Sequence, residues 1–454
     1  MPRPVYLSEP LNRVVKITAV LILLTSSFDI FLIAEAGGNY RFCQIVTPVL
    51  VVLAVVKAFR SARIPVLGAL PLSIWFIFQI IFIPATDFWP KSVGYCLWLL
   101  LNFGLVFSFV QLFSADRRSL ISILRWYAYS FAALAAFGVA QFVLPVLGFG
   151  GPFITQWWIP GALARVNGLS YEPSYFATYL LTGFVFTGSL LKNRSSLLPT
   201  ISLRAIYLLT GLGIVLSSSR IGIAFLFIDV LLAQFRPWPS FLSDALRLRF
   251  ALNKVRALIP SLLSITAISI FAVTALFALE NNPAVALMFL NGTGISDTAA
   301  HSVIQRENAF EETVDVFLEH PLIGRSLGGV STAIADRQGE RIQSFEASKD
   351  YEGMSVFAEA LAASGVIGII PFVWFLIATV WKPLRLARIA SPFYSGLLCA
   401  LVRSLIFAWA VLQFNQNMLR PYLWTHIAIL ASVYAAAIQS VKAPAELCSS
   451  RQAV

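Results

Sequence analysis

Long apolar runs separated by short polar connections dominate the chain. On the criterion that a helix needs about 20 apolar residues to cross a bilayer, about twelve spans are expected: 14–35, 42–58, 65–84, 93–114, 120–147, 173–191, 199–217, 219–235, 257–280, 354–380, 393–414 and 421–440. One long polar passage, 281–353, interrupts the series between the ninth and tenth runs. The pattern therefore divides the chain into 1–280 with nine spans, 281–353 as a large loop, and 354–454 with three spans and a tail. Within the passage, Phe310, Val314, Phe317 and Leu318 recur at helical spacing between Arg306 and His320 and predict an amphipathic helix, stopped by Pro321 and Gly324. The strongly polar stretch 338–352 is expected to be a mobile loop.

The connections alternate in charge. Lys57, Arg60 and Arg63 follow the second run, Arg117 and Arg118 the fourth, and Lys192 and Arg194 the sixth. Arg236, Arg247, Arg249, Lys254 and Arg256 follow the eighth, and Lys382, Arg385 and Arg388 the tenth. The positive-inside rule makes these even-numbered connections cytoplasmic, together with both termini. The odd-numbered connections then lie outside: 148–172, the tight turn 217–220, the long passage, and 413–420. Reading the first run as a cleaved leader, from the small residues Ala34 and Ala36, is disfavoured by Asp29 inside it and leaves the outside assignment unchanged.

Composition agrees with this reading. Of 454 residues, 58% are hydrophobic and only 12% charged, and the mean hydropathy is +0.79, which fits an all-α polytopic membrane protein and excludes a soluble enzyme. The net charge of +11 sits in the short connections, so it is a topology signal and not a nucleic-acid surface. Four scattered cysteines, three scattered histidines and no phosphate-binding glycine loop point to no disulfide framework, no metal and no cofactor.

Candidate chemistry falls on the outer side. Arg165, Glu172, Tyr171 and Tyr175 stand at the entry to the sixth run. A charge at a water–lipid boundary stays ionised yet acts strongly on a ligand, although an interfacial salt bridge with helix-start chemistry at Pro173 explains the same residues. The stretch Ser217 to Gly222 offers hydroxyls, a helix start and Arg220, either an anion site or ordinary capping. Arg306 and Arg325 add cations to the same face, among carboxylates expected to be solvated. Inside the membrane, Asp229 and Arg403 are a plausible structural pair, and Glu359 lies near the outer face, where it either reaches a substrate or bonds a neighbouring helix.

Taken together, these segments resemble the O-antigen ligase and polymerase superfamily of bacterial membrane glycosyltransferases. The resemblance rests on Arg165, Gly168 and the Glu172-Pro173-Ser174 helix start; on Ser219, Arg220 and Gly222; on Arg306 with Phe310; on Pro321, Leu322, Gly324 and Gly328; and on Gly365 and Gly368. It implies a class C glycosyltransferase-like fold with its large extracytoplasmic loop between helices 9 and 10. It also implies a place in the bacterial cytoplasmic membrane with a periplasmic active site, and substrates linked by diphosphate to undecaprenol. A flippase and a chain-length regulator are the implied partners. Where ligases carry His-Asn before the tenth span, this chain has Met354-Ser355, which favours a polymerase over a ligase passing glycan to lipid A core or protein. A transporter of lipid-linked sugars is the alternative of another class. The expected roles are diphosphate binding for Arg165, Arg220, Arg306 and Arg325, acceptor deprotonation for Glu172 with Glu359 second, and glycan or lipid contact for Tyr171, Tyr175 and His301.

Overall fold

The protein is described from a computed structural model, which defines residues 9–35, 39–60, 64–233, 297–342, 344–345, 347–353, 355–414 and 418–452. The expected ninth span, the cations 236–256 and the start of the long passage lie outside the described residues, as do the side chain of His301 and residue Met354.

The chain is predominantly helical. Helices α1 (Glu9–Thr25), α2 (Phe42–Arg60), α3 (Ala69–Ile81), α4 (Trp89–Phe113) and α5 (Arg117–Val146) precede α6 (Pro173–Lys192), α7 (Thr200–Leu216) and α8 (Arg220–Ala233). After the undescribed stretch come α9 (Asp297–Glu319), α10 (Gly329–Arg337), α11 (Val356–Ala387), α12 (Pro392–Val411) and α13 (Pro421–Gln452). Seven of these, α2, α4, α5, α6, α11, α12 and residues Pro421–Lys442 of α13, are long and apolar enough to cross a membrane, while α3 and α7 are apolar but shorter. Helix starts follow local chemistry: the Asp116 carboxylate accepts from the Arg118 and Ser119 amides at α5, and Ser355 Oγ accepts from the Ala358 amide at α11. Helix α6, buried along most of its length between α7 and α12, is the centre of the bundle.

Three expectations are corrected. The first run does not continue as helix to residue 35: α1 ends at Thr25, and Ile33–Glu35 (β1) pairs antiparallel with Asn39–Arg41 (β2). Asp29 accounts for the break, because its buried carboxylate is drawn out of the helical run onto Arg41 at 2.7 Å and Arg420 at 2.8 Å. The amphipathic helix starts earlier than Arg306, and it buries Thr313 and Val316 while leaving Phe310 and Leu318 exposed. Its packing partner is α11, so the side that meets α11, and not the Phe310–Leu318 stripe, is buried. Finally, 338–352 is tied down at its end: residues Ala347–Tyr351 form a helical turn, and Ser348 and Glu352 are both bound by Lys91.

Helix α11 is broken at Gly365, whose backbone (φ 60°, ψ −174°) is one that only glycine adopts readily. The segment Pro321–Ser326 fills the break. The Arg325 and Ser326 amides donate to the Ala362 and Ala363 carbonyls, and the Val366 and Ile367 amides donate to the Pro321 and Leu322 carbonyls. Backbone meets backbone so closely that a Cβ on Gly324 would lie 2.5 Å from the Ala362 oxygen, and one on Gly365 would lie 2.3 Å from the Leu322 carbonyl carbon. Trp75 Nε1 and Gln79 Nε2 both donate to Ser364 Oγ beside the break, and Gln79 Oε1 accepts from the Leu327 amide. The opened helix thus has its freed backbone groups satisfied within the protein.

Candidate functional site

The site is built at the end of the bundle where α1, α3, α5, α7 and α12 finish and α2, α4, α6, α8, α11 and α13 begin. Between α5 and α6, Gln156–Ile159 (β3) and Leu163–Arg165 (β4) form a small antiparallel hairpin with Gln156 opposite Arg165. Arg165 Nη1 donates to Gln156 Oε1 at 2.7 Å, and its Nε donates to the Ser217 carbonyl at 3.3 Å in the α7–α8 turn. Its guanidinium also lies 5.4 Å from the centre of the Trp158 ring.

The stretch after Arg165 is held by amide side chains. Gln141, buried in α5, accepts from the Gly168 amide at 2.7 Å and donates to the Gly168 carbonyl at 2.8 Å. Buried Asn167 donates to the Ser170 carbonyl at 2.7 Å, and the Val166 amide donates to the Leu216 carbonyl. Gly168 has φ +59°, and a Cβ there would lie 2.5 Å from the Phe176 ring. The hairpin, the α7–α8 turn and the start of α6 are therefore joined by hydrogen bonds and packing that place Arg165 beside the turn leading into Arg220.

Burial depresses the affinity of Arg165 for its proton. Glu172 opposes that effect, while Arg220 and Arg306 reinforce it. Residues from β4, α8, α9 and the edge of α6, far apart along the chain, are thus close enough to act on one guanidinium. Arg165 remains charged throughout the accessible range. Glu172 stands at the N-cap of α6 with an extended backbone, half-buried, and accepts from Ser174 Oγ at 2.9 Å. Part of the anion-site expectation at Ser217–Gly222 resolves into capping: Ser217 Oγ accepts from the Ser219 amide and Ser219 Oγ from the Gly222 amide.

The expected site residues do not all converge. Arg325 is turned aside: Nη1 donates to the Ala85 carbonyl at 3.2 Å and lies 4.0 Å from Asp87, and it is not among the charges acting on Arg165. Its place beside the α11 break commits its backbone to Ala362 and its side chain to the α3–α4 connection. Tyr171 is exposed. Tyr175 lies under Arg420, with 4.1 Å from guanidinium to ring centre, and its charged neighbours are Arg420, Glu172, Asp29 and Glu352. Glu359, in the first turn of α11, is 5% exposed, with Glu352 and Lys91 as charged neighbours and with Oε2 unpartnered.

Five charged residues join this end without having been singled out in the sequence. Asp29 Oδ1 accepts from both Arg41 Nε and Arg420 Nη1. Burial pushes the Asp29 carboxyl up, but Arg420 and Arg41 outweigh it and hold the group below the ordinary aspartate range; Arg420 is raised in turn, chiefly by Asp29 against its own burial. Lys91, fully buried, donates to Ser331 Oγ at 2.7 Å and the Ser348 carbonyl at 3.1 Å, and lies 3.5 Å from Glu352, which also accepts from Tyr95 Oη at 2.5 Å. One signal was available: Arg41, Lys91 and Arg420 are cations in connections assigned to the side poor in them. Asp229 and Arg403 do pair, at 2.6 Å and both buried, in the interior of the bundle. His426 is also structural, bonded to Tyr127 Oη and the Leu401 carbonyl.

Guanidiniums converging beside a half-exposed carboxylate can hold an oxyanion and accept a proton next to it. Among the described residues no group of His, Cys, Asp and Glu is arranged to hold a metal ion. Fold and site define a multi-pass helical membrane protein with a mixed-charge cluster at one end of its bundle. Comparison with models of known protein families and with curated proteins found no match to this chain.

Proposed function

We propose that this chain is a membrane glycosyltransferase that polymerises oligosaccharide repeat units carried on undecaprenyl diphosphate, at the periplasmic face of a bacterial cytoplasmic membrane. The observation carrying this reading is that Arg165 is bound to the Ser217 carbonyl in the turn that leads into Arg220, with Glu172, Arg220 and Arg306 as its charged neighbours. A glycosyl donor used outside the cytoplasm must bring its own leaving group, and a diphosphate ester is one that arginines recognise well. Guanidinium forks match phosphate oxygens and stabilise the charge that builds as the sugar departs.

In this reaction the acceptor hydroxyl attacks the anomeric carbon, the bond from that carbon to the diphosphate oxygen breaks with its electron pair, and the hydroxyl proton passes to a carboxylate. Attack opposite the leaving group inverts the anomeric centre and calls for no metal. Glu172 is the first choice of base, being half-exposed beside Arg165; Glu359 is the second, with a buried, unpartnered oxygen. The twelve-span topology with both termini cytoplasmic is part of the proposal.

The test is a glycan gel of a deletion strain together with a purified-protein assay on a defined lipid-linked repeat. Single repeat units without polymer support the polymerase. Polymer accumulating on the lipid carrier would assign a ligase, and lipid-linked units accumulating in the cytoplasm a transporter.

A further inference from the structure

The mouth of the bundle carries more cationic capacity than the Arg165 group uses. Beside it, Arg41 and Arg420 converge on a single oxygen of Asp29, at 2.7 and 2.8 Å. Arg420 also lies 4.1 Å from the centre of the Tyr175 ring. One carboxylate thus faces two guanidiniums. A further acid, Glu352, also acts on Arg420 but is engaged by Lys91 and Tyr95. Each guanidinium has five N–H donors, and among the described residues the only side-chain bonds of Arg41 and Arg420 are those to Asp29. Tyr422, next in the chain but one after Arg420, is 5% exposed; its hydroxyl is buried with no hydrogen-bond partner among the described residues, and its neighbours are the charged Arg420, Asp29 and Arg41 and the phenol of Tyr175. A buried phenol left unbonded costs about 1–3 kcal/mol, and its neighbours are two guanidiniums whose remaining N–H groups bond no other side chain among the described residues. Both deficits are met by one ligand that accepts several hydrogen bonds and carries negative charge.

We infer that Arg41, Arg420 and Tyr422, with Asp29 as the anchor that aims the two guanidiniums, form a second oxyanion subsite that binds a phosphate of a lipid-linked diphosphate. Tyr175 separates it from the Arg165–Glu172 group, since that ring is a neighbour of both Arg420 and Glu172. The inference rests on the proposed polymerase only for whose phosphate is bound. A reaction joining two carrier-linked chains presents two diphosphates, and two cationic subsites flanking one carboxylate match that demand.

The experiment is binding by the purified full-length protein in phosphatidylcholine nanodiscs, with undecaprenyl diphosphate, inorganic pyrophosphate and phosphatidylglycerol as separate probes. The wild-type protein is expected to bind undecaprenyl diphosphate more tightly than phosphatidylglycerol. Tyr422→Phe, which removes only the hydroxyl, is expected to weaken that binding about tenfold, and Arg420→Lys at least as much, with the ligand-free Tyr422→Phe protein melting no lower than the wild type because it loses an unbonded buried hydroxyl. Weakening of pyrophosphate binding in parallel would confirm that the phosphate, not the lipid, is read. Wild-type affinity in both variants would overturn the subsite, as would failure of the wild-type protein to bind any probe. Equal affinity for phosphatidylglycerol would overturn its assignment to a diphosphate. Binding that follows these expectations in a protein making no polymer would sink the polymerase and leave the subsite standing.

Discussion

The two ends of the helix bundle treat charge in opposite ways. At one end, Arg60, Arg117, Arg118, Arg125, Lys192, Arg194, Arg204, Lys382, Arg385 and Arg388 are all exposed. The contacts made there are peripheral, such as Arg117 over the Phe393 ring and Arg125 Nε on the Leu197 carbonyl. At the other end the cations are fewer, they are interleaved with acids, and they are drawn inward: Lys91 is 2% exposed, and the side chains of Arg420 and Asp29 are 14% and 9% exposed. Exposed lysines and arginines in short connections set orientation and cost nothing to solvate. Buried ones cost several kcal/mol unless partnered, so their retention at one end asks for a reason beyond topology. Exposed cations in short connections at one end thus contrast with buried cations held among acids at the other.

The largest effect expected is on the reaction. Glu172→Gln keeps the shape of the α6 N-cap and its neighbour Ser174 but cannot take a proton; polymer yield should fall about 100 to 10,000-fold, the usual contribution of a general base. Arg165→Ala should cost about 100 to 1,000-fold, as for loss of one charge-stabilising donor. Both are read on purified protein with a lipid-linked repeat, with melting temperature as the control for folding. Full activity in Glu172→Gln would transfer the role to Glu359 and move the reacting centre toward Lys91 and Glu352.

Next is the stability of the site end itself. Asp29→Ala leaves two guanidiniums converging on nothing, and breaking a buried pair this way costs about 3–5 kcal/mol, less here because Arg41 is a quarter exposed. The same group gives a pH dependence with a fixed sign. Its folded-state affinity for protons is depressed by Arg420 and Arg41 against the opposing effect of burial, so its stabilisation is complete above the ordinary aspartate range and is lost as pH falls through the depressed value. Thermal melting between neutral and strongly acid pH should show a slope in the wild type that is shallower in Asp29→Ala. An unchanged slope would mean that Asp29 is not charged in the folded protein.

Much of this arrangement was legible in the sequence, and what was not has identifiable causes. Apolar runs placed the helices because a bilayer-length stretch allows little else, and Arg165, Glu172, Arg220 and Arg306 were singled out as boundary charges next to helix starts. In the sequence Asp29 counts only against a cleaved leader; periodicity has no way to show that two arginines, one of them nearly 400 positions later, would hold it in a loop. Arg325 shared every sequence property of Arg306, yet the closed backbone of the α11 break turns it to Ala85. Gly324 reads as a helix stop in the sequence, and Gly324, Gly328 and Gly365 as parts of the motifs that carry the family resemblance. Two of them, Gly324 and Gly365, instead let one backbone pass through the gap in another helix, and Gly328 comes within 3.0 Å of the Lys91 carbonyl.

The interior pair provides the smallest net effect and sharpens the comparison most. Asp229 and Arg403 are more buried than Asp29 and Arg420, at 4% and 7% side-chain exposure, and Arg403 Nη2 pairs with the carboxylate and donates to the backbone carbonyl of Asp229. Were burial alone the mark of a functional charge, this pair would qualify. The pair is matched one to one, a single guanidinium on a single carboxylate, with exposed Lys192 as a further cation acting on it from the bundle end, so it is read as a structural contact. Asp229→Leu or Arg403→Met alone should destabilise by about 3–5 kcal/mol by stranding a charge, whereas the double variant should be near neutral, because well-packed apolar residues replace a buried ion pair at little cost. Melting temperatures of the two singles and the double form the required cycle, and polymer formation by the double variant should match the wild type. The corresponding double change at the site end, Asp29→Leu with Arg420→Met, should recover stability but not binding of undecaprenyl diphosphate. If it bound that lipid as the wild type does, the cations of the two interiors would have to be read alike, as structural pairs.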